Sequence, residues 1–123
     1  MSEVVIGPDE EALVMDYLRP LVGVGVTSNV PNPRPASFVR VNAVPFEGMT
    51  GKIVYRCLLS VESWHTNRPN ASLLARRAAG YLEAAPAFVA DCGSPGWLPD
   101  PDTGQSRYVF TVEVFALGSV LAP

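Results

Sequence analysis

The stretch KIVYRCLLSVESW, residues 52–64, alternates between two kinds of side chain along its whole length. Successive side chains of a β-strand point to opposite faces of the sheet. One set of alternate positions is mainly apolar: Ile53, Tyr55, Cys57, Leu59 and Val61. The other set mixes charged, polar and apolar residues: Val54, Arg56, Leu58, Ser60, Glu62 and Trp64. The pattern therefore predicts a long strand over Lys52–Trp64, with one buried face and one face that is only partly buried.

The residues after this strand predict a helix, because apolar side chains recur there at helical spacing. The helix is expected to begin near Pro69 or Asn70, with Asn70 as its N-cap, and to end at Ala85 before Pro86. Its apolar stripe consists of Leu74, Ala78, Tyr81, Leu82 and Ala85. A helix with one such stripe is expected to pack that side against the sheet.

The C-terminal third predicts two more strands separated by a loop. Ala87–Cys92 is expected to be a short strand, and Gly93–Gly104 is a loop rich in Gly, Pro and Asp. Arg107–Leu117 alternates again, with Tyr108, Phe110, Val112, Val114 and Ala116 on one side. We expect Phe110 to face the helices.

The N-terminal third predicts a helix from Pro8 to Leu18 or Arg19, because Pro20 disfavours helix just before it. Its apolar stripe is expected to be Ala12, Leu13, Tyr17 and Leu21, with Val14 and Leu18 adjoining. The stretch GVGVTSNV (23–30) predicts a short strand, and the prolines of 29–35 predict a stiff loop. SFVRVNAV (37–44) predicts another strand, and Pro45–Gly51 predicts a flexible turn.

The predicted elements cluster strands and segregate helices, which is typical of an α+β fold. We expect a single domain over residues 1–123, with a mainly antiparallel four- to five-stranded sheet and two helices packed on one face. The second sheet face would then carry Arg40, Arg56, Glu62 and Glu113 among apolar residues. A face of this mixed kind often marks a contact between subunits.

Composition narrows the class of protein. The 123 residues are 48% hydrophobic and 17% charged, which is too apolar for a disordered chain. Nine basic against twelve acidic residues give a formal net charge of −3, which disfavours a nucleic-acid binder. With no signal-peptide pattern and no long apolar run, a cytosolic protein without a membrane span is expected.

Few residues of the sequence suggest a catalytic, metal-binding or disulfide role. Cys57 and Cys92 are too few for a disulfide framework or a structural zinc site, so both are expected to be small buried side chains. His65 is the only histidine and has no nucleophile motif around it, so neither catalysis nor a cofactor is expected. Asp100 and Asp102 in PDPDTG (99–104) are interpreted as turn residues that accept backbone N–H bonds, with Gly104 at positive φ.

Four segments together resemble the tail terminator proteins of long-tailed phages that infect actinobacteria. They are DYLRPL (16–21), VPNPRP (30–35) leading into SFVRVNAV, the helix ASLLARRAAGYLEAAP (71–86) and WLPDPDTGQSRYVFTVEV (97–114). Eight arginines against one lysine suit such a GC-rich host. The chain departs from the family pattern in its long Phe46–Gly51 turn and in the apolar tail Leu117–Pro123.

The resemblance implies a structural virion protein without catalytic residues. Such proteins form a six-membered ring on the head-proximal end of the tail tube. The ring stops polymerisation of the major tail tube protein and offers a surface to the head-side connector, and DNA can pass through it without sequence-specific contacts. The alternatives are another neck protein, such as a head-tail stopper or tail-completion protein, and a small cellular α+β ligand-binding domain.

The expected ring contacts fall on charged strand residues and on the two proline-stiffened loops. The candidate interface residues are Arg34, Arg40, Arg56, Glu62, Trp97, Asp100, Asp102 and Glu113. Some of the strand charges are expected to form ion pairs between subunits, and at least one loop is expected to touch a neighbour. For Trp97 the alternative is that its indole side chain folds back over the core of its own chain.

Overall fold

The computed structural model describes residues 3–50 and 53–121. The elements in chain order are β1 (Val5–Ile6), α1 (Glu10–Val22), β2 (Gly25–Thr27), β3 (Phe38–Thr50), β4 (Val54–His65), α2 (Arg68–Glu83), β5 (Val89–Cys92), β6 (Gly96–Trp97), β7 (Ser106–Leu117) and β8 (Ser119–Val120).

The main sheet has the strand order β2-β3-β4-β7-β5, and the short β6 also pairs with β7. All its pairings are antiparallel except the parallel pair β2–β3. The predicted α+β class with a mainly antiparallel sheet is confirmed, although six strands share the sheet instead of four or five. Both helices contribute to one hydrophobic core on one side of the sheet.

The long strands build that core as their alternation predicts. Val39 and Val41 of β3, Leu59 and Val61 of β4, and Val112 and Val114 of β7 are all fully buried. Phe110 is also buried in this cluster, which confirms its inward orientation. From α2, the same cluster receives Leu74, Ala78 and Leu82.

Helix α1 is longer than predicted. Asp9 is its N-cap, and its carboxylate accepts a hydrogen bond from the Ala12 backbone N–H at 3.1 Å. The helix continues through the exposed Pro20 to Val22, because Val22 is buried and Gly23 ends the helix in the left-handed conformation. The Leu21 carbonyl also accepts a hydrogen bond from Arg77 at 3.3 Å. The predicted end at Leu18 or Arg19 is wrong because this packing outweighs the loss of one N–H donor.

The apolar stripe of α1 is also rotated from the predicted one. Val14, Leu18 and Val22 are its buried centre, whereas Leu13 and Tyr17 pack beside it and are only half-buried. In α2 the N-cap is Asn67 instead of Asn70, since the Asn67 side chain accepts from the Asn70 N–H at 3.0 Å.

Strand β3 continues through most of the segment predicted as a turn. Gly48–Thr50 pair with Tyr55–Cys57, and Ala43 pairs with Leu59. Four residues, 44–47, therefore face a single residue of β4, and we call them the β3 bulge. Pro45 has no N–H to donate to the ladder, which favours an interruption of the pairing here. Gly51 and Lys52, where the predicted turn and strand meet, lie outside the described residues.

Strands β1 and β8 form a separate two-stranded ribbon that the sequence pattern did not predict. The apolar tail from Leu117 therefore takes part in the fold at least as far as Leu121, whose N–H donates to the Val4 carbonyl at 2.7 Å.

Candidate assembly surface

The sheet face opposite the two helices is here called the open face. It carries Phe38, Arg40 and Asn42 of β3, the even-numbered residues of β4 from Val54 to Trp64, the odd-numbered residues of β7 from Arg107 to Leu117, and Val89 and Asp91 of β5. The mixed character predicted for this face is therefore present in the folded chain.

Glu62 is the centre of a polar network on the open face. Its carboxylate accepts a hydrogen bond from Trp64 Nε1 at 3.1 Å and lies 3.4 Å from Arg40 Nη1 and 3.7 Å from Arg107 Nη1. The Glu62 side chain is only 13% exposed. Because three donors converge on one nearly buried carboxylate, the ion pair of Arg40 with Glu62 is satisfied within the chain.

Trp64 lies beside this network and is almost fully buried, although it is on the open face. The ring stacks on Phe38, with centroids 5.1 Å apart. The guanidinium groups of Arg34 and Arg107 lie 5.5 Å and 5.2 Å from its centroid. These are cation–π contacts, and they cover this end of the open face with the chain's own residues.

Arg34 also joins the two proline-stiffened loops to each other. Its Nη1 donates to Thr103 Oγ1 at 2.9 Å and to Gln105 Oε1 at 3.1 Å, and it lies 3.6 Å from the Asp100 carboxylate. The two predicted contact loops thus form one unit, in which Arg34 and Asp100 pair within the chain.

The predicted turn chemistry is present at Asp100, whereas none of the described residues donates a hydrogen bond to the Asp102 side chain. The Asp100 carboxylate accepts hydrogen bonds from the Thr103 backbone N–H at 3.1 Å and from the Thr103 hydroxyl at 2.6 Å. The hydroxyl hydrogen bond, with the Arg34 charge as a smaller contribution, lowers the pKa of Asp100 from its usual value. Gly104 follows at a φ of 71°, and Asp102 is exposed on the same turn.

Trp97 belongs to the helix side of the sheet. It lies 5.7 Å from the Tyr108 ring, and the Arg68 guanidinium is 4.3 Å from its centroid. Arg68 Nε also donates to the Tyr108 hydroxyl at 3.1 Å, and this hydrogen bond lowers the pKa of Tyr108. Trp97 therefore folds back onto its own chain while staying 37% exposed, so a contact with a neighbour remains a prediction.

The opposite end of the open face is uncovered. Arg56 Nη1 and the Glu113 carboxylate form an ion pair at 3.2 Å, and their side chains are 34% and 40% exposed. Val54, Val89 and Leu117 are at least half exposed beside this pair. This end thus combines exposed apolar side chains with partly exposed charges.

A cavity of about 350 Å³ opens at this uncovered end, and we call it the edge cavity. All its lining residues are apolar: Val54, Ala85–Val89 and Phe115–Leu117. Its position, where the loop after α2 meets the ends of β4 and β7, could not be read from any local motif.

The eight predicted interface residues are therefore divided among several places. Arg34 and Asp100 join the loops, and Arg40 and Glu62 lie in the Trp64 network. Arg56 and Glu113 lie at the uncovered end, Trp97 lies on the helix side, and Asp102 lies on the exposed turn. Sequence reasoning missed Arg68 and Arg107, whose roles depend on aromatic partners that only the fold brings near.

The remaining groups that could support chemistry are dispersed. Within residues 3–50 and 53–121, no three His, Cys, Asp or Glu side chains are grouped so that they could hold a metal ion. Both cysteines are free and half-buried instead of fully buried. Burial, the largest cause, raises the pKa of Cys57 and raises that of Cys92 to about 12.

No protein-family model matches the chain, and no curated protein matches it. In the part of the chain that the structure describes, neither helix is both long and apolar enough to cross a membrane.

Proposed function

We propose that this chain is a structural virion protein that assembles as a ring, most simply a hexamer, on the head-proximal end of a phage tail tube. In this role it ends polymerisation of the tail tube protein and presents a surface to the head-side connector. Its place would be the virion, and it would need neither a cofactor nor a catalytic residue.

The observation that carries the proposal is the uncovered end of the open face. Exposed Val54, Val89 and Leu117 lie together on one side of the partly exposed Arg56–Glu113 pair. Protein interfaces commonly combine an apolar centre with a polar rim in this way. A chain that leaves such a surface beside a well-packed core is suited to contact with other subunits.

The joined loops support the same proposal. The loop that carries Arg34 and the turn at Asp100 hold each other through several polar contacts. Segments that are already ordered lose little entropy when they dock on a neighbouring ring. The loops therefore provide a preformed surface at the other end of the sheet.

A ligand-binding domain is the second candidate, because the edge cavity has the size of a small-molecule site. Ligand sites usually add a few well-placed polar groups to an apolar lining. The nine residues that line the edge cavity are all apolar. This lining favours an apolar protein side chain over a polar metabolite.

The test is a phage in which this gene is deleted, with the lysate of infected cells imaged by electron microscopy. Overlong tails that are not attached to heads would support a terminator. Headless tails of normal length would instead assign the chain to the head-side neck, and normal virions would overturn a role in assembly. Re-expression of the chain in the same cells is the control.

A further inference from the structure

Phe46 is the most exposed large apolar side chain among the described residues, and its whole surface faces solvent. It lies on the β3 bulge with a φ of 65°, in the left-handed region that bulky residues rarely adopt. Such backbone strain is found mainly at functional sites. Neither the exposure nor the strain is explained by packing within this chain, so Phe46 is a candidate contact residue.

The edge cavity lies near the edge of the sheet that is farther from Phe46. Phe46 belongs to β3, whereas the cavity is bounded by the ends of β4 and β7 and by the start of β5. In the sheet, β4 and β7 separate β3 from β5. A protruding aromatic group and an apolar cavity therefore lie toward opposite edges of one molecule.

The edge cavity is large enough to accept a phenyl ring. The edge cavity has a volume of about 350 Å³, whereas a cavity of roughly 150 Å³ is enough to bind benzene. Its lining includes Phe88 and Phe115, and aromatic pairs gain from offset or edge-to-face contact. A phenyl ring that enters from outside would thus find both space and suitable neighbours.

We infer that Phe46 of one copy of this chain inserts into the edge cavity of a second copy. Because the two surfaces differ, the contact is head-to-tail, and it leaves one free Phe46 and one free cavity at the ends of any open assembly. Repetition of the contact gives a closed ring when the rotation between copies closes, and a filament when it does not.

Charges beside the two features are compatible with this contact. Glu47 is exposed next to Phe46, and Arg56 is the strand partner of Phe115 in the cavity wall. Arg56 is a third exposed and already pairs with Glu113 on one side. A Glu47 carboxylate that arrives with Phe46 would place the arginine between two carboxylates.

As the joint of a ring, this contact rests on the proposed function, but self-association can be measured without any tail component. Failure of the purified chain to end tail tubes would reject the proposed function and leave the contact standing. Association that does not depend on Phe46 would reject the contact and leave the proposed function standing.

The first experiment compares wild type with Phe46→Asn by sedimentation velocity over a range of concentrations. Asparagine tolerates positive φ, so this variant should keep its fold in urea unfolding. We expect its association to weaken at least about tenfold, as for an anchor residue in an interface. Leu73→Ala, at another exposed apolar position on α2, should associate like wild type. A monomeric wild type, or unchanged association of Phe46→Asn, overturns the inference.

The second experiment blocks the cavity instead of removing the aromatic group. Ala87→Trp should fill the edge cavity, and Val89→Asp should place a charge there without burying it, since Val89 is 65% exposed. Each variant alone should lose association. Mixed with Phe46→Asn, either should form a dimer and nothing larger, because only one intact Phe46 and one intact cavity remain. If the mixture stays monomeric, the head-to-tail contact is wrong.

Discussion

Glu62 is the residue on which the polar contacts of the open face depend. Its carboxylate faces Arg40, Arg107 and the Trp64 indole N–H. Glu62→Ala removes the acceptor of the Trp64 N–H and the carboxylate that pairs with both arginines, although each arginine keeps a backbone acceptor through its Nε. We expect a loss of roughly 1.5–3 kcal/mol in the free energy of unfolding. Glu113→Ala is the matched control, since the half-exposed Arg56–Glu113 pair is worth about 1 kcal/mol or less. Urea unfolding of both variants checks this, and equal losses would contradict it.

Because of Cys92, the free energy of unfolding is expected to fall as the pH rises through the alkaline range. Burial, with smaller contributions from Glu83 and Asp91, raises the pKa of its thiol from 9.0 to about 12. Between these two values the folded chain binds more protons than the unfolded chain, so the free energy of unfolding falls as the pH rises. The thiol's contribution is fully present below pH 9 and is lost toward pH 12.

The measurement compares wild type and Cys92→Ala by urea unfolding at about pH 7.5 and about pH 10.5, on either side of the ordinary thiol pKa. Wild type should lose more stability over this interval than the variant, because only wild type carries this thiol. Parallel losses in the two proteins would show that the Cys92 pKa is not raised by folding.

At the scale of elements, substitution of glycine by alanine is expected to have opposite effects on stability at Gly118 and at Gly80. A Cβ at Gly118, between β7 and β8, would come within 2.8 Å of the Ile6 carbonyl and 2.6 Å of the Tyr55 ring. Gly118→Ala should therefore push β8 away from β1 and lower stability. A Cβ at Gly80 in α2 meets no atom within 4 Å, so Gly80→Ala should raise stability by up to about 1 kcal/mol. Melting temperatures that move in opposite directions would confirm both expectations, and a stable Gly118→Ala would contradict the tight approach of the ribbon.

At the scale of the whole molecule, charge reversals separate assembly from folding. Glu113→Arg places a second arginine beside Arg56 at the uncovered end of the open face, so ring formation should weaken while the monomer stays folded. Asp16→Arg is the control, because it makes the same charge change in the exposed Asp16–Arg19 pair of α1. Analytical ultracentrifugation should show a smaller oligomer for Glu113→Arg alone. An identical oligomer in both variants would remove Glu113 from the interface.

The elements differ in how far their local pattern predicted them. The alternation of 52–64 and 107–117 and the helical stripe around Leu74–Leu82 predicted β4, β7, α2 and the inward faces correctly. These segments each bury one side against the core, so the spacing of apolar residues within each segment is enough to show which side that is. The α+β class follows from them, because two amphipathic helices and a sheet with one apolar face can bury their apolar sides against each other in one layered arrangement.

The sequence by itself thus determined β4, β7, the second helix and the side each turns to the core. The tertiary structure alone decided that α1 passes Pro20, that β3 passes Pro45, and that β1 and β8 form a ribbon. It also decided that Arg34 pairs with Asp100 and that the Glu62 carboxylate lies close to two arginines. Local rules for proline weigh only neighbouring residues, whereas these outcomes depend on contacts between segments far apart in the chain. Such contacts form only after the core has placed the segments side by side, so no local pattern records them.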